Sequence, residues 1–467
     1  MRYPSPTRRL PLAAALVVAL ASVGCAYSIP EVDPADIPRL ETAVASNPDD
    51  TGLQVQLGMA QFKAENYSGA RATLTAAVDA GNETGAALLY LGMTHEEFED
   101  WTAARDAYNR YLDAGRSEPL KEEIRKRLQL IARNVLQAQA QEALAQESQL
   151  AGAQVTPRSV AILPFGFNSD REDLEPLIYA LSDMMITDFA VSNALTVLER
   201  AQIQTLLDEM SLTEAGYADA STGARAGRLL QAEHVLQGVI TTLGEAQLRL
   251  DTDVLNIPRS ESAGTVDAED ELANLFDMEK DLVFRTLRDV LGVELTPAEE
   301  QAILENRSDN VLAFLAYGRG LREQDRGNYA GALAQFQQAQ QLDPDFDAAS
   351  AAAGDAQNLQ DASTTTTGGI AQVAAATGET SSGAVSAATG TTTASTGAAA
   401  GALGNAAEGV DPTPTTGTLD LGATTGTGDP AKTGDPRDPV QESQGQEGVT
   451  KTATAQIRIV IRRPGGE

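Results

Sequence analysis

The sequence predicts a multidomain chain: an α-helical repeat region, a central α/β domain, a second, single helical repeat unit, and a disordered tail that ends in a short strand. Three observations predict this. Small and aromatic residues recur 34 positions apart near the amino terminus. Between 155 and 295 the apolar pattern alternates between strand runs and helical spacing, and beyond about Gly354 the composition collapses into Ala, Gly, Thr and Ser. A chain of 467 residues can supply about three domains of ordinary size, each with its own core. Aromatic residues, at 4%, are too few for a barrel with aromatic girdles. A net charge of −32 would repel a phosphate backbone, which argues against nucleic-acid binding.

Residues 1–24 read as a signal peptide. Arg2, Arg8 and Arg9 form a basic start, and the apolar run from Leu10 to Val23 is too short to span a bilayer. Ser22-Val23-Gly24-Cys25 closes the run and resembles a bacterial lipobox, although Ser22 stands where leucine is usual. Cys25, the single cysteine, rules out an intramolecular disulfide and is the expected lipidation site. Acyl chains on it would hold the protein to a membrane, each buried methylene adding about 0.8 kcal/mol. Ala26 follows where an aspartate would signal inner-membrane retention, so the resemblance implies the periplasmic face of the outer membrane.

From 36 to 150 the sequence predicts repeat helices with a capping helix. Gly58 and Gly92, Tyr67 and Trp101, Ala70 and Ala104, and Leu74 and Tyr108 share the 34-residue period. The period and positions resemble tetratricopeptide repeats, with Tyr111 and Asn82 departing from the usual alanine and proline. Small residues are needed where two antiparallel helices approach closely. A polar helix from Glu118 to about Leu150, with Leu120, Ile124, Leu128, Ile131 and Val135 on one face, would cap the array. The same signature returns between 296 and 354 as Gly320, Tyr329, Ala332, Phe336 and Pro344. One unit cannot bury its apolar face alone, so it must dock on a neighbour.

The segment 155–295 predicts the α/β domain. Ser159 to Phe165 reads as a buried strand ended by Pro164, and Leu174, Leu177, Ile178, Leu181, Met185 and Phe189 recur at helical spacing. Leu195–Leu198 reads as a short strand; Val235–Leu243 and Gln247–Leu255 as a tight hairpin; Ala263–Val266 as a shorter strand; and Glu269–Leu291 as a closing helix. Ser159–Phe165, Val197-Leu198-Glu199-Arg200 and the run from Ala232 to Gly238 resemble the CsgG family of curli-assembly lipoproteins and the related TolB-like amino-terminal domain. The resemblance implies an assembly or secretion role and carries over no catalytic residue. It marks Glu199, Arg200 and Gly238 as the family-motif positions, with a local ion pair or helix-dipole contact weighed against an inter-subunit contact for Glu199 and Arg200. The family's secretion channel carries long transmembrane hairpins, whereas only Gly244-Glu245 separates the two strands here. The second strand also sets Arg249, Asp251 and Asp253 on one face, which lipid would penalise by roughly several kcal/mol. A pore is therefore not expected.

Residues 355–449 read as a disordered linker that cannot offset its ordering entropy. Within 450–467, the stretch from Thr452 to Arg462 alternates strictly, as a strand would, beside Arg458, Arg462 and Arg463. Such a strand needs a sheet edge to pair with. No nucleophile elbow, P-loop, dinucleotide fingerprint or HExxH helix is present, and the histidines, His95 and His234, read as structural. No cofactor, no metal and no catalysis are expected. The expected partners are envelope proteins, with the membrane engaged through the lipid and a homo-oligomer compatible with the family. Two functions follow from the resemblances: a non-catalytic assembly or secretion adaptor, or a lipoprotein activator of a peptidoglycan synthase (penicillin-binding protein).

Overall fold

The computed structural model describes residues 32–150, 154–211 and 219–379. The expected signal peptide with Cys25, the stretch 380–449 and the strand expected within 450–467 lie outside the described residues.

The amino-terminal region is built of antiparallel helices: α1 (Ile37–Ser46), α2 (Thr51–Lys63), α3 (Tyr67–Asp79), α4 (Gly85–Glu96) and α5 (Trp101–Ala114). Then come the long α6 (Glu118–Ala145) and the short α7 (Glu147–Leu150). Polar side chains start these helices. Asp50, Asn66, Thr84, Asp100 and Ser117 each accept a hydrogen bond from a first-turn backbone N–H of α2 to α6 in turn. The turns between paired helices use a left-handed residue, Glu65 at φ 60° and Glu99 at φ 55°. At 28 residues α6 is about 42 Å long. Its Leu120, Ile124, Ile131 and Val135 belong to the core of the amino-terminal repeats, and its Ala140 to the core of the α/β domain.

The α/β domain begins with β1 (Thr156–Ile162) and β2 (Gly166–Asn168), then α8 (Leu177–Val191), β3 (Thr196–Val197), α9 (Arg200–Glu209) and α10 (Ala220–Leu229). It continues with β4 (Ala232–Leu243), β5 (Gln247–Asn256), β6 (Glu261–Glu271) and α11 (Leu275–Arg285). The sheet order is β3-β1-β4-β5-β6, and β2 extends β1's side of β4. β1 runs parallel to β3 and β4, whereas β4, β5 and β6 form an antiparallel meander. Leu248, Leu250, Thr252 and Val254 point from β5 into the core.

Three expectations change in this domain. The strand expected over Ser159–Phe165 is divided: β1 stops at Ile162, and the chain rejoins the sheet at Gly166 opposite Val239. The strand expected over Ala263–Val266 runs the full length of β5, from Glu261 to Glu271. Its acidic residues are tolerated because β6 lies at the edge of the sheet, with one face in water. The helix expected from Glu269 accordingly starts at Leu275 and ends in a wider turn over Thr286–Val290.

The carboxy-terminal helices are α12 (Pro297–Glu305), α13 (Val311–Asp325), α14 (Tyr329–Leu342), α15 (Asp347–Thr364) and α16 (Thr367–Ala376). The single repeat, α13 with α14, docks on α8, and Phe314, Phe336 and Phe346 share one continuous core with the sheet. Gly318 makes this approach close: a Cβ there would strike the carbonyl of Pro176. The linker expected from 355 is corrected here, because residues 355–364 and 367–376 are helical. Ala356 and Ala362 are buried and continue the stripe begun by Ala349 and Ala353, so alanines of the stretch that suggested low complexity are part of the contact face of α15.

Candidate interaction sites

The residues of the repeat signature come together as helix-pair contacts. A Cβ on Gly58 would lie 2.5 Å from Leu74, one on Gly92 2.6 Å from Tyr108, and one on Gly320 would strike the edge of the Phe336 ring. Ala70, Ala104 and Ala332 are fully buried in the same seams. Tyr67 and Trp101 begin α3 and α5 with part of each ring exposed, and Tyr329 begins α14 with Arg133 above its ring. Pro344 lies in the turn after α14. These residues shape the scaffold.

Among the family-motif residues, Gly238 lies in β4 where a Cβ would meet the Phe165 ring at 2.5 Å and the carbonyl of Asp251 at 2.8 Å. Only glycine lets that ring lie flat on the strand. Glu199 is the exposed N-cap of α9 and makes no side-chain cap. Arg200 is different. It donates two hydrogen bonds of 2.8 Å to the Asp325 carboxylate, and its Nε is 3.2 Å from Asp183 Oδ1. Tyr317 donates to the other oxygen of Asp183 at 2.6 Å. Burial works against the guanidinium charge, but Asp325 and Asp183 outweigh it and raise the Arg200 pKa. Burial raises Asp183, against the pull of Arg200. Arg200 thus pairs with residues distant in the sequence rather than with a neighbour, and clamps the α/β domain to the carboxy-terminal repeat.

A second buried network lies at the junction with α12. Lys280 Nζ donates to Asp188 Oδ2 and to the carbonyl of Asn306, each at 2.6 Å, and sits 3.1 Å from Glu279. Asn306 Nδ2 donates to the other Asp188 oxygen at 2.7 Å. Burial, then the neighbouring Asp188, pushes Glu279 up to about 8, against the pull of Lys280. Burial and the neighbouring carboxyl of Asp188 both disfavour a negative charge on Glu279.

The third network joins the amino-terminal repeats to the end of α15. Tyr108 donates to Glu96 at 2.5 Å, and Arg127 Nε donates to the other Glu96 oxygen at 2.8 Å. Arg127 also donates to the carbonyls of Ala362 and Thr365 at 2.8 and 3.0 Å. Beyond it, α16 lies against α4 and α6, with Ile370, Ala371 and Ala374 inside the amino-terminal core.

His95 lies 3.5 Å from Asp100, and His234 Nε2 is 3.2 Å from the Asn256 amide. Burial lowers both pKa values. Asp183, Asp188, Lys280, Asp325 and Glu379 carry no motif that singles them out in the sequence. A signal existed for two of them, since Asp183 and Asp188 interrupt an otherwise apolar α8.

The family profile described as curli production assembly/transport component CsgG matches residues 132–250, from within α6 to β5. A tetratricopeptide-repeat profile matches residues 55–119, from α2 to the start of α6. Comparison with curated proteins finds no match. Similar solved structures include the LpoB C-terminal domain from Salmonella enterica, 11% identical with a TM-score of 0.21, over 29% of this chain and 95% of that one. Lipoprotein GNA1162 from Neisseria meningitidis is 13% identical with a TM-score of 0.24, over 29% and 99%. A tetratricopeptide repeat protein from Parabacteroides merdae is 12% identical with a TM-score of 0.19, over 69% of this chain and 91% of that one.

Proposed function

Because the chain joins a CsgG-type domain to tetratricopeptide repeats, we propose that it is a non-catalytic envelope lipoprotein. It would be anchored through Cys25 at the periplasmic face of the outer membrane, where it holds other envelope proteins for assembly or secretion. The observation that carries this reading is the β4–β5 hairpin. Leu243 pairs with Gln247 across the turn, so the hairpin closes within the sheet. Arg249 and Asp251 pair on its outer face at 2.8 Å, where lipid would penalise them. Among the described residues no helix is long and apolar enough to cross a membrane. A domain of this family that keeps its hairpin short, and fuses repeats to both ends, is suited to hold partners rather than to conduct.

The test is made in intact cells. Photo-crosslinkers placed on the repeats and on the β4–β5 hairpin are followed by mass spectrometry of the crosslinked proteins. Recurrent crosslinks to assembly or secretion components support the adaptor, whereas a penicillin-binding protein as the dominant partner moves the reading to synthase activation. Cys25→Ser should move the chain from the membrane fraction to the soluble periplasm. Unchanged membrane association would overturn the anchor.

A further inference from the structure

The first helices of the two amino-terminal pairs, α2 and α4, pack side by side and, with the front of α6, form one face of the stack, its inner face. The second helices behave as expected, with α3 burying only Ala70, Leu74, Ala77 and Val78. In contrast α4 is buried at every position from Gly85 to Thr94. Its extra cover is α16, which arrives from the far end of the chain.

Several features make α16 resemble a bound ligand more than a structural helix. It has ten residues, two of them Gly368 and Gly369, and would be marginal in isolation. Its buried face is small, consisting of Ile370, Ala371 and Ala374, and Val373 on the other side is exposed. One turn beyond its end, Glu379 is 3% exposed. Its carboxylate accepts backbone N–H bonds from Arg116 at 3.0 Å and Ser117 at 2.9 Å, at the start of α6. A carboxylate against a long helix's amino end is favourable by charge and by hydrogen bonding. Next to it lies Tyr111, fully buried, whose hydroxyl has no hydrogen-bond partner among the described residues. A better-fitting carboxylate would have a further donor to use. Between α16 and the end of α2 lies a cavity of about 490 Å³, bordered by Val32, Phe62, Lys63, Tyr67, Ala371 and Gln372.

We propose that the inner face of the amino-terminal repeats binds a short partner helix with small residues on one face and a carboxylate one turn beyond its end, and that α16 with Glu379 occupies this groove in cis as a displaceable stand-in. The proposal rests on the adaptor reading, of which it names the partner chemistry. The tether gives α16 a high effective concentration, so an incoming helix must bind the groove better than α16 does.

The probe is a fluorescein-labelled synthetic peptide of residues 366–379, titrated into the full chain and followed by anisotropy. The Ala374→Arg chain, whose own α16 cannot seat, should bind the peptide at least about tenfold more tightly than the wild-type chain does. A peptide carrying Glu379→Gln should lose about tenfold or more, the value of a charged hydrogen bond. A folded Ala374→Arg chain that binds the peptide no better than wild type overturns the proposal. If that variant does not fold, Glu379→Lys in the full chain is tested in the same way. Hydrogen exchange on the wild-type chain gives a result independent of any variant. Amides from 370 to 376 should exchange at least about a hundredfold faster than those of α4, and equal protection would show α16 to be a permanent part of the core. Envelope crosslinks that map to the hairpin and never to the groove would keep the adaptor and remove the groove.

Discussion

In the amino-terminal repeats Gly58 faces Leu74 and Gly92 faces Tyr108; in the carboxy-terminal unit Gly320 faces Phe336. The partner comes sixteen residues later each time (58 to 74, 92 to 108, 320 to 336), and a left-handed residue seven positions after each glycine turns the chain, at Glu65, Glu99 and Gly327. The helix pair is therefore built by one local rule in both regions. What surrounds the pair differs. The amino-terminal repeats form a core of their own, closed by α6 on one side and by α16 across the inner face. The carboxy-terminal unit has no separate core: its aromatics are continuous with the sheet, and buried charges on α8 and α9 hold it there. Repeat signatures specify how two helices pair. They do not specify what the pair leans on, which is set by residues outside the signature such as Gly318, Asp183 and Arg200.

The largest effect that would break this comparison is at Arg200. Arg200→Ala leaves Asp325 and Asp183 with little exposure and no guanidinium, and removing one partner of a buried pair costs about 3–5 kcal/mol. The loss should appear in hydrogen exchange of α13 and α14 and leave α2 to α5 protected as before. Exchange that rises equally in both repeat regions would show that they do not depend on separate supports.

The next effect depends on pH. Glu279 is raised to about 8 in the folded chain, by burial first and Asp188 second, and sits near 4.3 when unfolded. Between those values the folded state holds the extra proton, so stability falls as pH rises, by up to about 1.4 kcal/mol per pH unit. Its contribution is fully present below about 4.3 and is lost as the pH passes about 8. Because Lys280 also holds Asn306, at the end of α12, the loss should fall on the carboxy-terminal unit. Denaturation midpoints at pH 5, 6, 7 and 8 should decline for the wild type and stay flatter for Glu279→Gln. Parallel slopes would mean that Glu279 is already ionised at pH 5.

Much of this architecture was legible in the sequence because it obeys short-range rules. The 34-residue period placed α2 to α5, and the alternation of Leu248, Leu250, Thr252 and Val254 against Arg249, Asp251 and Asp253 placed β5 with its faces correctly assigned. What was not legible depends on partners distant in the chain. The run Glu269-Asp270-Glu271 reads as a polar helix start, and becomes strand only because β5 lies beside it. The alanines of α15 beyond Gly354 read as low complexity, since nothing local shows that α6 and α14 pass close enough for small side chains to fill the gap. Arg200 and Asp325 are 125 residues apart and meet only once α13 has docked on α8. The contact of Glu379 with Ser117 spans 262 residues. No periodicity points to either.

The smallest expected effect separates the two regions at their shared rule. Replacing a helical glycine by alanine gains about 1 kcal/mol of intrinsic helix stability, so the outcome depends on whether the facing side chain can give way. Opposite Gly58, a Cβ would meet Leu74 Cγ at 2.5 Å and Cδ2 at 2.7 Å, and a leucine can rotate about its own bonds. Opposite Gly320 it would meet the Cε1 and Cδ1 edge of the Phe336 ring. That ring is planar, fully buried, and packed 5.5 Å from Tyr317, itself held by Asp183. The ring has nowhere to move unless α14 shifts. Overpacking of this kind costs about 1–3 kcal/mol, which exceeds the gain from alanine. Gly320→Ala should therefore destabilise the chain by about 1–2 kcal/mol, and Gly58→Ala should leave it within about 1 kcal/mol of wild type. Hydrogen exchange read separately in α13–α14 and α2–α3 measures each region on its own scale, which one melting temperature of a multidomain chain would not. Equal costs at the two glycines would mean that the helix-pair seam, and not its surroundings, sets the tolerance.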